Sequence, residues 1–232
     1  MTNICLTFDV DWAPEEVLNY LVHKLTKANI KATFFATHDS DILKSLNSEL
    51  FEVGIHPNFN NSKGDFVTPI EELMTLYPNS TGGRSHSLFF SSNILETYEK
   101  VGLKYESNIF LPYHKNLTLV KRRKNLVSIP FFWSDDYCLA NNLIDKKKVS
   151  RLLEVEGLKV FNFHPIHIFV NTPSLAYYQT IKQYYHEPEK LLEKKNKSKY
   201  GVEDIFNELI DLINNNDIKS NKMEGISKNE SL

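Results

Sequence analysis

The sequence predicts an α/β fold, a parallel sheet flanked by helices that is either open or closed into a barrel. Three observations carry this. Apolar runs of strand length alternate with segments of helical periodicity along most of the chain. Almost every apolar run is followed at once by an Asp, His or Arg. Parallel α/β folds build their sites in this way, at the carboxyl ends of the strands. Finally, 232 residues, 41% hydrophobic and 12% aromatic, suffice for one substantial core.

The first strand is "NICLTF", from Asn3. "PEEVLNYLVHKLTKAN" then sets Val17, Leu18, Leu21, Val22 and Leu25 at helical spacing, with Pro14 at a favoured start. "ATFFAT" is the second strand and "DILKSL" a short helix. "LFEVGI" is the third strand, followed by a Gly/Asn-rich loop from Pro57 to Asp65. "PIEELMTLY" is helical and "TGGRSHS" a short fourth strand. "SSNILETYEKVG" opens on a serine cap and closes on glycine, as helices do. "LKYESNIFLP" and "NLVSIPFFWS" come next, then the helical "DKKKVSRLLEV" and the buried strand "GLKVFNF". "SLAYYQTIKQYY" and "VEDIFNELIDLI" close the fold as helices. There is no internal repeat. From about Asn214 the chain turns polar and loses periodicity. The expected organisation is therefore a single domain over residues 1–213 and a polar, flexible tail over 214–232.

Composition narrows the function classes. A formal charge of −2 gives no reason to expect nucleic acid or an anionic membrane as the main partner. Cys5 and Cys138 make neither a disulfide framework nor a metal knuckle, and Cys5 packs inside its strand. The basic clusters "KRRK" at 121–124 and "KKNKSK" at 194–199 read first as solvated loop or helix surface, and second as a contact to a phosphorylated substrate. Asn-x-Ser/Thr triplets at Asn60, Asn79, Asn116 and Asn196 are expected by chance in an Asn-rich chain. Strand residues from Asn3 leave no room for a signal peptide, and no apolar run reaches membrane-spanning length. A cytoplasmic protein is expected, and no feature sets an oligomeric state.

The polar strand ends point to one shared pocket. After "ICLTF" come Asp9 and Asp11; His38 follows "ATFFAT", His56 follows "FEVGI", and Arg84 and His86 follow "TGG". Asp135 and Asp136 follow "SIPFFWS", and His164 and His167 follow "LKVFNF". Turn chemistry favours Asn, Gly and Ser as readily as His, so it does not account for five of the eight histidines at these ends. Asp with neutral His is the usual ligand set for a divalent metal. Asp9 and Asp11 sharpen the point. Two bare carboxylates side by side repel, and a cation or a proton-transfer task resolves the conflict.

"LTFDVDW", "ATFF", "EVGIH", the Arg of "GGRSH" and "FNFHPIH" stand in the order found in polysaccharide deacetylases of the NodB-homology type, carbohydrate esterase family 4. "DVDWAP", "GIHPNF" and "FHPIH" resemble more closely a WbmS-like branch linked to lipopolysaccharide O-antigen synthesis. The resemblance runs from about Asn3 to Pro173. It implies a distorted (β/α) barrel of about seven parallel strands and metal-assisted hydrolysis of an N- or O-acyl group. It also implies Asp9 as general base, Asp11 and His56 as metal ligands, and His164 as general acid. Arg84 would orient the base and be held in turn by Asp135 or Asp136. The sequence departs from the family pattern at three places. One residue separates the two aspartates, Asn60 stands where a second ligand histidine is usual, and the Arg-x-Pro-Tyr element reads "RSHS".

The expected function is a metal-dependent deacylase, zinc being the expected ion, acting on an acylated sugar that is nucleotide- or lipid-linked. An amide oxygen binds zinc-like metals poorly, so Asn60 calls for another nitrogen. His38 is expected to supply it, giving Asp11, His38 and His56, with His86 in reserve and otherwise facing the substrate. Asp136, His167, Trp12 and Trp133 complete the expected substrate contacts. Two other readings are a sugar-binding pseudoenzyme without metal, and a metal-independent glycosidase pairing Asp9 with Asp135 or Asp136.

Overall fold

A computed structural model describes residues 4–145 and 149–228. Its mixed α/β architecture centres on β1 (Ile4–Asp9), paired in parallel with β2 (Ala32–Ala36) and β9 (Lys159–Phe163). Every residue of these three strands is buried. Sheets covered on both faces read as near-continuous apolar runs, which is why these strands were the plainest in the sequence. β3 (Phe51–Ile55), β4 (Gly82–Gly83) and β5 (Tyr105–Glu106) extend the parallel sheet on the β2 side. β6 (Val120–Arg123) and β7 (Leu126–Ser128) form an antiparallel hairpin at that edge, and β8 (Trp133–Ser134) lies beyond β9. The sheet order is β6-β7-β5-β4-β3-β2-β1-β9-β8, curled into a half-barrel. This is the parallel α/β barrel type expected, with more strands than seven.

Helices cover the outside. α1 (Glu15–Lys27) buries Val17, Leu18, Leu21 and Leu25 and carries Glu15 and Glu16 at its N-terminal turn, where the helix dipole favours acids. α2 (Asp41–Lys44) and α4 (Ser92–Lys100) start on Ser40 and Ser91, each accepting a backbone N–H. α3 (Thr68–Leu76), α5 (Asp135–Ala140), α6 (Val149–Glu154), α7 (Pro165–Phe169), α8 (Leu175–Ile181) and α9 (Pro188–Glu193) follow. α10 (Val202–Asn215) buries seven of its residues, among them Phe206, which packs edge-on against Phe8 and Phe163. Among the described residues no helix is long and apolar enough to cross a membrane.

Two sequence expectations change. "KRRK" lies in and beside strand β6 rather than in a loop or helix, and Arg123 pairs with Glu99 at 2.8 Å. The segment after Asn214 is not a free polar tail through Lys228. β1 pairs with β2 only from Leu6 onward, which leaves Ile4 and Cys5 to β10 (Ser220–Asn221). α11 (Met223–Lys228) then buries Met223 and Ile226. Its first amides donate to Thr33 Oγ1 (3.0 Å) and to the buried Glu52 carboxylate (2.9 Å). Two apolar side chains and a buried acceptor hold a segment that looks featureless in sequence. Residues 229–232 lie outside the described residues, as do Lys146–Lys148 of the predicted "DKKKVSRLLEV" helix.

Candidate active site

The carboxyl ends of the strands deliver the polar groups to one mouth. Asp9 is the last residue of β1. The chain then turns through Asp11 (φ 46°) and Trp12 (φ 58°), a left-handed pair that non-glycine residues adopt only at a cost of about 1–3 kcal/mol each. The turn is held from outside. Trp12 N donates to Thr37 Oγ1 (2.9 Å), and Tyr185 OH donates to the Asp11 carbonyl (2.6 Å). Leaving the strand in this way re-aims Asp11 away from Asp9. His56 and Arg84 continue the ladders past β3 and β4, with His56 N on Ala36 O (2.7 Å) and Arg84 N on Ile55 O (3.0 Å).

Arg84 is wholly buried and sets the position of Asp9. Its Nη1 donates to Asp9 Oδ1 (2.9 Å), Thr7 Oγ1 (3.0 Å) and Asn162 Oδ1 (2.5 Å). Ser107 accepts from Nε through its carbonyl and from Nη2 through its hydroxyl, both at 2.9 Å. The guanidinium plane lies between the rings of Phe35 and Phe131, each 4.5 Å away. Asn162 Nδ2 donates to the other Asp9 oxygen at 2.8 Å. Burial alone would raise the Asp9 carboxyl, but Arg84 and His56 outweigh it and hold the pKa below the usual carboxylate range.

Beside this pair, Asp11 Oδ1 lies 3.2 Å from His56 Nε2 and 3.1 Å from His86 Nδ1. One atom of each residue falls within 4.8 Å of the others. A carboxylate oxygen and two imidazole nitrogens converging on one point fit a zinc-like cation. Against burial, the two imidazoles drive the Asp11 pKa far below its ordinary value. On the far side, His164 Nδ1 meets Asp135 Oδ1 at 2.7 Å while its backbone N–H donates to Asp135 Oδ2 at 2.7 Å. Burial opposes the imidazolium, yet the charge and hydrogen bond of Asp135 raise the His164 pKa well above normal. Asp135, Asp136 and His164 form a second cluster of ligand-type atoms. The Asp135 oxygens there already accept from His164 and from Asp136 N (2.8 Å), so this cluster does not fit a cation.

Two cavities meet at the cluster. Asp11, Asp136 and His164 line both. The inner one, about 320 Å³, reaches Asp9, His56, His86 and Phe131. The outer one, about 670 Å³, runs past Trp12 and Tyr178 to Lys182 and His186.

A family model of WbmS-like polysaccharide deacetylases matches residues 6–182. The chain belongs to that family. It is similar, at 31% identity and TM-score 0.83, to a Bordetella bronchiseptica protein described as a polysaccharide deacetylase involved in O-antigen biosynthesis, with 89% of each chain covered. A protein of Mycobacterium smegmatis described as a polysaccharide deacetylase shares the fold, at 15% identity and TM-score 0.65 over 98% of this chain and 90% of that one. So does a 4-alpha-glucanotransferase of Thermococcus litoralis, at 13% identity and TM-score 0.57 over 100% of this chain and 41% of that one. No curated protein matches the chain.

Against the pattern inferred from sequence, the candidate site differs in several places. His86 takes the place expected for His38. His38 is not part of the Asp11 cluster, and its Nδ1 faces Thr37 Oγ1 at 3.0 Å. Asn60 is exposed and its amide reaches Ser87 Oγ at 3.4 Å. Neither Asp135 nor Asp136 touches Arg84. Asp135 holds His164 instead, and exposed Asp136 bonds the Ser134 hydroxyl and Tyr137 N (2.7 Å) while lining both cavities. Trp133 cannot reach a sugar. It is buried against Phe163 at 4.7 Å, because strand alternation turns it outward while Ser134 faces the inner cavity. Trp12 is 38% exposed, 5.1 Å from the His86 ring, and lines the outer cavity. His167 also lines it, with Nδ1 3.1 Å from Thr172 Oγ1; burial and the neighbouring His164 push its pKa down to about 3, so it is neutral. The pattern of acids, histidines and an arginine at strand ends leaves out the cradle of Thr7, Ser107 and Asn162 around Arg84. Period-two spacing carries its signal, since Thr7 precedes Asp9 and Asn162 precedes His164 by two residues on the same strand face.

Proposed function

We propose that this protein is a metal-dependent hydrolase that removes an N- or O-acyl group from a nucleotide- or lipid-linked sugar during O-antigen-type polysaccharide synthesis. One observation carries the reading. Asp11, His56 and His86 converge between an Arg84-held carboxylate and an Asp135-held imidazole. Those three residues would hold the ion, and two imidazoles with one carboxylate favour zinc. When bound there, a divalent metal supplies Lewis-acid polarisation of the acyl carbonyl and a more acidic water.

The chain's own groups handle the protons. Arg84 and Asn162 fix both Asp9 oxygens, and Arg84 with His56 keeps the carboxylate ionised, ready to accept a proton from the attacking water. Asp135 keeps His164 protonated, so that the imidazolium can give a proton to the departing amine or alcohol as its bond to the acyl carbon breaks. The products are a carboxylate and the deacylated sugar. Trp12, half in solvent beside His86, offers an apolar face for a sugar ring. A glycosidase pair is not favoured by this arrangement, because Asp9 is bound by Arg84 and Asp135 by His164.

The test is a screen of acylated nucleotide-sugars for release of acetate or formate, repeated with chelator. Chelator-sensitive release is expected. Asp9→Asn should keep the metal and lose turnover, whereas Asp11→Ala should lose both. Release that persists in chelator, or equal metal loss in the two variants, would overturn the assignment.

A further inference from the structure

The outer cavity is more than twice the volume of the inner one, about 670 against 320 Å³. Chambers of that size hold ligands larger than a single sugar ring. Its charge is unevenly placed. Both of its carboxylates, Asp11 and Asp136, sit at the junction with the inner cavity, and beyond them the ionisable lining is Lys182, His186 and uncharged His167 with two tyrosines. Lys182 makes no ion pair with any described carboxylate. The acid next along the chain, Glu187, is already paired with Lys190 at 2.5 Å. Nor is this wall loosely attached. Tyr185, three residues after Lys182 and one before His186, anchors the segment to the Asp11 carbonyl at 2.6 Å.

We propose that the outer cavity binds a phosphate group carried by the acylated sugar, with Lys182 and His186 as its anchors. This rests on the hydrolase reading above and says which sugars the enzyme takes. A neutral sugar would leave the Lys182 ammonium without a counter-charge, whereas a phosphate ester or diphosphate accepts directly from it and from the imidazole. The acyl group then points inward toward Asp9, and the carrier runs outward past Tyr178 and Lys182.

The test compares one acylated sugar in four forms on the zinc-loaded enzyme: free, as its 1-phosphate, linked to a nucleoside diphosphate, and linked to a prenyl diphosphate. Lys182→Ala should raise KM about tenfold for the phosphorylated forms and less than twofold for the free sugar, with kcat unchanged. Lys182→Arg should restore most of the loss. The better of the two diphosphate substrates identifies the carrier. An equal effect of Lys182→Ala on free and phosphorylated sugars overturns the phosphate site and leaves the hydrolase standing. If no sugar is deacylated, the hydrolase reading fails on its own. The phosphate site is then judged by calorimetric binding of uridine diphosphate and inorganic phosphate to Asp11→Ala protein. A roughly tenfold weakening on adding Lys182→Ala upholds it, and unchanged binding overturns it.

Discussion

Replacing His86 by alanine tests the assignment on which the rest depends. Ligands about 2.0–2.1 Å from a tetrahedral zinc stand about 3.4 Å apart. Asp11 Oδ1 is already 3.1 Å from His86 Nδ1 and 3.2 Å from His56 Nε2, so only tenths of an ångström separate the side chains from a ligating arrangement. Zinc bound by four protein ligands gains about 10–16 kcal/mol, or roughly 3–4 kcal/mol per ligand. Losing one ligand should therefore weaken binding about 10²–10³-fold. His38→Ala removes an imidazole that faces Thr37 and should change zinc affinity less than about threefold. The measurement is competition for zinc with a chromophoric chelator, run on purified wild-type, His86→Ala and His38→Ala proteins in parallel. Zinc held by His86→Ala within about threefold of wild type, or lost on His38→Ala, would refute the reasoning.

Other predictions address the supports of the site. Asp135→Asn removes the carboxylate that raises the His164 pKa, and a hydrogen bond to a charged group is worth about 1.5–3 kcal/mol. The protonated acid is then lost at lower pH, so the alkaline limb of kcat/KM should move down by about one to two pH units, with zinc content unchanged. A limb that stays in place assigns the acid elsewhere. Gly82→Ala would put a Cβ 1.9 Å from Tyr105 Cζ, in a ring whose hydroxyl is fixed on Glu52 at 2.8 Å. Overpacking of this kind should lower stability by about 1–3 kcal/mol, read from the urea midpoint. Ending the chain after Ile218 removes β10 and α11 and with them the burial of Met223 and Ile226. About 3–6 kcal/mol should be lost at about 1.5–3 kcal/mol per side chain, and an unchanged melting temperature would show that the segment does not brace the barrel.

What the sequence made legible follows from how each signal is encoded. β1, β2, β3 and β9 are short apolar runs ending at polar residues, and the structure puts Asp9, His56 and His164 where those runs stop. The choice between His38 and His86 was not legible. It turns on a left-handed bend at Asp11 and Trp12 that swings the carboxylate toward the fourth strand, and such bends leave no mark in hydrophobic periodicity. Trp133 looked like a rim residue because it lies two residues before Asp135, but the strand ends at Ser134 and Asp135 opens α5, so strand alternation does not carry from one to the other. The C-terminal segment hid for another reason. Its docking depends on Glu52, a buried acceptor about 170 residues away in sequence, and not on a repeating pattern of its own.

The spacing of Asp9 and Asp11 is where these threads meet. Two carboxylates two residues apart on one strand face would share a field, and one would have to take up a proton. Here the chain leaves the strand between them: Arg84 holds Asp9, His86 faces Asp11, and His56 stands between the two carboxylates, 3.8 Å from Asp9 and 3.2 Å from Asp11. Asp9 stays inside the barrel on a guanidinium fixed by two aromatic faces and three polar neighbours, and it is 95% buried. Asp11 turns to the mouth and faces two imidazole nitrogens, His56 Nε2 at 3.2 Å and His86 Nδ1 at 3.1 Å. On the proposed assignment, the intervening residue that departs from the family's adjacent pair separates the proton-handling carboxylate from the ligand. Removing Val10 to restore adjacency should therefore do more than shorten a strand end. It would take Asp11 off the turn that sets its carboxylate 3.1 Å from His86, so zinc affinity should fall in the chelator competition, and unchanged affinity would show that the spacing does not place the ligand.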